Sequence, residues 1–162
     1  MKFIAQVFFV IIFFSTAHGK ISGNFNQGED ISNYFSGILS FNNSHYTKST
    51  NYFKKLNGLE KRHKKYSTKY LYSLVNSGKF KSAFDYARKL ERDNLNTYES
   101  ELIIGLYYLK NKNYKLANEY FFKLKKREPN FLLDKFVVES LLNWTNFPKS
   151  TFIDAQQKIN LI

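Results

Sequence analysis

The chain contains no cysteine, so neither disulfide staples nor thiolate metal sites are open to it. Histidine is almost as scarce. His18, His45 and His63 are the three, and neither His45 nor His63 has a second His, Asp or Glu three or four residues further on. No helix face therefore offers a metal pair, and no metal or cofactor is expected. Also missing are paired carboxylates, a nucleophile elbow and a Gly-rich phosphate loop, which argues against an enzyme. Acidic residues are few, 13 against 25 Lys and Arg, for a net charge of +12. Proline occurs twice, at Pro129 and Pro148, so long stretches are free of helix breakers.

What is present begins with a short apolar run at the N-terminus. Lys2 precedes Phe3 to Phe14, FIAQVFFVIIFF, and then Ser15-Thr16-Ala17-His18-Gly19. A charged start, a short apolar core and small residues at Ala17 and Gly19 are the features of a secretory signal peptide cleaved after Gly19. The run is too short for a bilayer core, which needs about 20 residues. With no cysteine at the junction a lipid anchor is excluded, and a periplasmic or secreted location follows. Loss of Lys2, the only charged residue of the first 19, leaves a mature chain of +11. Residues 20–30 are polar with two Gly and read as a flexible lead-in. No transmembrane span is expected after cleavage.

The remainder is helical by its periodicity. In the stretch that opens at Tyr98, Leu102 to Leu109 is apolar on nearly every side, with Gly105 as its one break, and reads as a buried helix. Lys110 to Asn113 is a polar turn. Tyr114, Ala117, Phe121 and Leu124 then form the stripe of a half-buried second helix, stopped by Pro129. So short a turn folds the pair antiparallel, with Gly105 and Ala117 allowing close approach.

The same register recurs every 34 residues. Tyr46, Phe80 and Tyr114 are so spaced, as are Ser49, Ala83 and Ala117. Tyr52, Tyr86 and Tyr120 follow the same period, and so do Leu56, Leu90 and Leu124. Gly37 and Gly105 are two periods apart, with Leu71 between them. Apolar periodicity within single helices gives no reason for a fixed register between helix pairs; a stacked repeat does.

At this period the unit resembles the tetratricopeptide repeat (TPR). Counted from Tyr98, the family's positions 8, 11, 17, 20, 24 and 32 are Gly105, Tyr108, Tyr114, Ala117, Phe121 and Pro129. Position 4, usually Trp, is Glu101, and position 27, usually Ala, is Leu124. The resemblance implies an all-α fold. About 3.5 to 4 antiparallel helix-turn-helix units, near residues 31–63, 64–97, 98–131 and 132–162, would stack as a right-handed α-solenoid. Within it, Gly37, Ser49, Phe53, Ala83, Ala87, Gly105, Tyr108, Ala117, Phe121 and Pro129 are expected to make the repeat packing.

Boundaries follow from local signals. The first helix is expected over about 31–41, with Asp30 or Ser32 as N-cap. Its partner runs over about 45–56 and stops at Asn57-Gly58. Glu60 to Lys69 reads as a basic inter-unit loop, then helices over 66–76 and 80–92. A fourth unit opens at Phe131 with a helix ending near Trp144 and a second over 149–162. The end at Ile159-Asn160-Leu161-Ile162 carries no polar cap, which a solenoid needs. The chain is similar to the N-terminal part of longer bacterial envelope TPR proteins, and further repeats C-terminal to it are expected if it is a fragment.

The family's first helices line a groove through positions 2, 5, 9, 12 and 13. On that likeness the partner groove comprises Tyr34, Ile38 and Phe41 from unit one and Thr68, Tyr72, Val75 and Asn76 from unit two. Leu102, Leu106, Leu109 and Lys110 come from unit three, with Phe136 and Asn143 from unit four. Tyr34 and Ile38 stand where a carboxylate-clamp TPR would have Lys and Asn, so that specificity is not expected. The implied function is a non-catalytic, exported interaction scaffold that holds a peptide or helix. The alternatives are a basic surface for anionic lipid or nucleic acid, or a piece of a larger scaffold without a function of its own. The Lys residues are scattered over all the units in a chain rich in Lys, Asn, Ile, Phe and Tyr, so nucleic acid is not the expected partner.

Overall fold

A computed structural model describes residues 27–127 and 132–146. Among these residues there are seven α-helices and no strand. They are α1 (Gln27–Asn42), α2 (Tyr46–Lys54), α3 (Lys64–Asn76), α4 (Phe80–Arg92), α5 (Tyr98–Lys110), α6 (Tyr114–Lys126) and α7 (Leu132–Asn146), with a 3-10 turn at Leu59–Lys61. Each helix packs on the one before and the one after it. The first helices of successive units also touch, α1 with α3 and α3 with α5. The result is a stack of helical hairpins, the all-α repeat arrangement expected from the sequence.

The 34-residue period is present in the backbone. Helices α3, α5 and α7 start at residues 64, 98 and 132, and α2, α4 and α6 start at 46, 80 and 114. Each hairpin reverses through a residue of positive φ, namely Ser44 (60°), Gly78 (75°) and Lys112 (59°), again 34 apart. The amide after each closes on a carbonyl five residues back: His45 on Ser40, Lys79 on Leu74 and Asn113 on Tyr108, at 2.8–2.9 Å. These are left-handed helix caps in which the turn satisfies carbonyls the helix leaves open.

Packing within each hairpin depends on complementary large and small residues. An added Cβ at Gly105 would sit 2.4 Å from Phe121 Cε1, and one at Gly37 would sit 2.5 Å from Phe53 Cε1. The ring of the second helix thus lies directly on the bare backbone of the first. In the middle unit the sizes are exchanged: Leu71 stands at the glycine position and Ala87 at the phenylalanine position, both fully buried in one cluster. Leu56, Leu90 and Leu124 are buried at one register position in three units. Each such side chain contributes about 1.5–3 kcal/mol by leaving water.

Ser49, which takes the place of Ala83 and Ala117, needs partners for its hydroxyl, and Oγ lies 2.9 Å from both the Gly37 carbonyl and Ser73 Oγ. Helix α7 closes the described stack, with Val138 and Leu142 buried against Ala117, Phe121 and Leu124.

Several boundaries differ from the sequence reading. Helix α1 begins at Gln27, so the last four residues assigned to a flexible lead-in are helical, and Asp30 and Ser32 lie within the helix rather than capping it. Glu29 and Asp30 occupy its first turn, where carboxylates suit the helix dipole. The basic loop is shorter than expected because the 3-10 turn and α3 take up most of Glu60 to Lys69. Helix α2 ends at Lys54, two residues early. The expected signal peptide, Pro129, Pro148 and the expected second helix of unit four lie outside the described residues.

Candidate functional site

Three first helices and the end of α6 border a groove of about 830 Å³, lined by Phe41 of α1, Lys64, Lys65, Thr68, Lys69 and Tyr72 of α3, Thr97, Tyr98 and Glu99 at the start of α5, and Arg127. The spacing on α3 explains the wall. Lys65, Thr68, Lys69 and Tyr72 stand at i, i+3, i+4 and i+7, so one face of one helix presents them together. Tyr72 is 49% exposed, a large apolar surface open to solvent. The ammonium of Lys69 lies 4.4 Å from the centre of the Phe41 ring, joining α1 to α3 across the groove.

The helix starts that frame the groove are fixed by side chains. At α5, Thr97 Oγ1 accepts from the Ser100 amide at 3.2 Å, while Ser100 Oγ accepts from the Thr97 amide at 2.9 Å. This reciprocal cap satisfies two amide donors that the helix leaves free. At α3, His63 Nδ1 accepts from the Tyr66 amide at 3.2 Å, and its Nε2 lies 3.2 Å from the Tyr34 hydroxyl. His63 therefore serves as a cap and as a tie to α1. Glu60 anchors the same corner from behind, with its side chain buried and paired to Lys89.

Arg127 is held in the wall by Glu101. Glu101 is 4% exposed, and its Oε1 accepts from Arg127 Nη2 at 2.9 Å and from Asn96 Nδ2 at 3.3 Å. Its Oε2 has no partner among the described residues. Glu101 belongs to a buried polar row with Asn33 and Ser67, one per unit at the same register position. Burial pushes the Tyr98 phenol above its ordinary pKa, reinforced by Asp134, Glu99 and Tyr72, so it stays a neutral hydroxyl on the groove wall.

Of the residues expected to line a groove, Phe41, Thr68 and Tyr72 come together here. Val75 and Asn76 are exposed further along α3, with Asn76 Nδ2 turned back onto the Tyr72 carbonyl at 2.8 Å. Tyr34 and Ile38 are half-buried against the Phe53, Leu56 and Tyr66 cluster. Leu102, Leu106 and Leu109 are half-buried against the cluster that α6 forms with Val138 and Leu142 of α7, so they serve first as packing. Lys110 stands 5.7 Å from the Phe80 ring, Phe136 is 68% exposed and Asn143 is exposed on α7.

The register reading did not name Lys64, Lys69, Thr97, Tyr98 or Arg127 as lining residues. A signal existed for the first of these: Lys64 and Lys65 open a helix, where cations oppose the dipole and local stability gives no reason for them.

Among the described residues no cluster of His, Cys, Asp and Glu can hold a metal ion, and no helix is long and apolar enough to cross a membrane. A smaller cleft of about 200 Å³ lies where α5 and α6 meet α7, lined by Tyr98, Leu124, Val138 and charged residues of both signs. No protein-family model matches this chain, and no curated protein matches it either.

Proposed function

We propose that this chain is a non-catalytic protein-interaction module of the tetratricopeptide kind, exported by its N-terminal signal sequence, that holds a peptide or helix along the face made by its first helices. The observation that carries the reading is the groove between α1, α3 and α5. Phe41, Thr68 and Tyr72, named from the repeat register, meet there with an exposed aromatic surface. Exposed aromatic side chains set among polar groups are the usual anchors of a binding surface. The 34-residue period of helix starts and turns supports the repeat assignment. Three departures from the family pattern remain: the polar row of Asn33, Ser67 and Glu101 stands where Trp is usual, Leu71 occupies a small-residue position, and Leu56, Leu90 and Leu124 stand where Ala is usual.

Capture from envelope extract tests the reading, using the chain from Lys20 as bait beside two variants. Tyr72→Ser removes the groove aromatic, whereas Tyr114→Ser removes a comparably exposed ring outside the groove. A partner lost at least tenfold by the first and retained by the second is the expected result. Equal retention by both variants overturns the groove reading. N-terminal sequencing of exported protein should begin at Lys20; a product that keeps Phe3 to Phe14 overturns the export reading.

A further inference from the structure

We propose that the groove is selective for an acidic peptide segment whose carboxylates alternate with aromatic or aliphatic side chains; this rests on the groove reading above. The first ground is charge. Lys64, Lys65, Lys69 and Arg127 line the groove against a single carboxylate, Glu99. Arg127 is already paired with Glu101, but no ion pair ties up Lys64, Lys65 or Lys69 among the described residues. Three lysines thus line the groove without an ion-pair partner, the ammonium of Lys69 lying over the Phe41 ring.

The second ground is placement. Lys64 and Lys65 are the first two residues of α3. Their charges meet the positive end of the helix dipole there, an arrangement that weakens the free protein. Such a conflict between local preference and structure is expected where binding, rather than folding, sets the residue. A carboxylate arriving in the groove meets lysines that have no ion-pair partner among the described residues, so it relieves the conflict it finds.

The third ground separates a peptide from a polynucleotide. The one guanidinium in the groove is paired with Glu101, which offsets part of its attraction for a phosphate backbone. The Glu99 carboxylate on the same wall repels a continuous phosphate backbone. A peptide meets this pattern differently: it places carboxylates against the lysines, an amide N–H toward Glu99, and apolar side chains on Phe41, Tyr72 and Tyr98. The volume of about 830 Å³ is in the range of a site that encloses a few side chains rather than a duplex.

Fluorescence anisotropy with a labelled random copolymer of Glu and Tyr tests the inference. It is set beside polyglutamate, an oligothymidylate and a neutral Ser/Tyr peptide at fixed salt. The Glu/Tyr copolymer should bind most tightly. Lys64→Gln/Lys65→Gln/Lys69→Gln should weaken it at least tenfold, and the equal-charge control Lys48→Gln/Lys115→Gln/Lys126→Gln less than threefold. Because two of the groove lysines oppose a helix dipole, the same triple variant should also show a higher urea midpoint, so that binding falls as stability rises.

Equal loss in both triple variants overturns the inference in favour of net charge alone. Oligothymidylate bound as tightly and with the same lysine dependence overturns it in favour of nucleic acid. Binding of the neutral peptide that depends on Tyr72 but not on the lysines overturns acidic selectivity and leaves the groove reading standing. Copolymer binding that ignores both Tyr72 and the lysines overturns the two together.

Discussion

Exchange of the paired large and small residues in unit three tests whether the hairpins are built from interchangeable parts. In this unit the Phe121 ring rests on Gly105, with 2.4 Å between Phe121 Cε1 and the place a Cβ would occupy. In unit two, 34 residues earlier, Leu71 and Ala87 fill the same two positions with the sizes reversed. Phe121→Ala alone empties a fully buried ring site and should cost about 3–5 kcal/mol. Gly105→Leu alone drives an isobutyl group into that ring. Overpacking of about 1–3 kcal/mol or more should outweigh the gain of about 1 kcal/mol from replacing a helical glycine.

Gly105→Leu/Phe121→Ala installs the unit-two pair, so the leucine fills the volume the ring vacates. The double variant should therefore lose only about 1–2 kcal/mol, with a coupling near 3 kcal/mol, the upper end for contacting residues. Urea melts followed by circular dichroism at 222 nm measure all three variants. Additive losses in the double variant would refute the reasoning, because the two positions would then not share one packing volume.

Two further outcomes follow from the local geometry. Burial alone would raise the Glu60 carboxyl, but the hydrogen bond from Lys89 and those from the backbone amides, that of Gly58 at 2.9 Å among them, hold its pKa below the ordinary value. Its stabilisation is thus present above the unfolded value of about 4.3 and is lost as pH falls through the lower folded value. Glu60→Gln should cost about 1–3 kcal/mol in urea at pH 7, with the gap closing below about pH 4; a gap constant with pH would contradict this assignment. At the reversals, Lys112 carries a side chain at φ 59° where unit two has Gly78 at 75°. Lys112→Gly should stabilise by about 1 kcal/mol by removing left-handed strain, and a lower thermal midpoint would count against it.

The amino-acid sequence by itself determined the fold class and the repeat period. Large residues at Tyr46, Phe80 and Tyr114 and the buried leucines at 56, 90 and 124 recur at one spacing, and each second helix starts on that spacing. Such positions are legible because their neighbours are set by the period: a residue inside one hairpin meets the same surroundings in the next. The exposed faces follow another logic. Tyr72 and Leu106 hold the same register position, yet α7 packs beside Leu106 and half-buries it while Tyr72 stays open. The period is blind to that difference, because it depends on which helix comes next in the stack.

His63 shows the same limit, since its roles as cap of α3 and partner of Tyr34 arise only when α1 and α3 meet. So does Arg127. Spacing along α3 alone sets Lys65, Lys69 and Tyr72 on one face, but only the packing of α1, α3 and α5, with the Glu101 pairing that holds Arg127, brings Arg127, Phe41 and Tyr98 to them. Burial has a period that sequence carries; convergence of long, solvated side chains from different helices has none, and tertiary structure alone decides it.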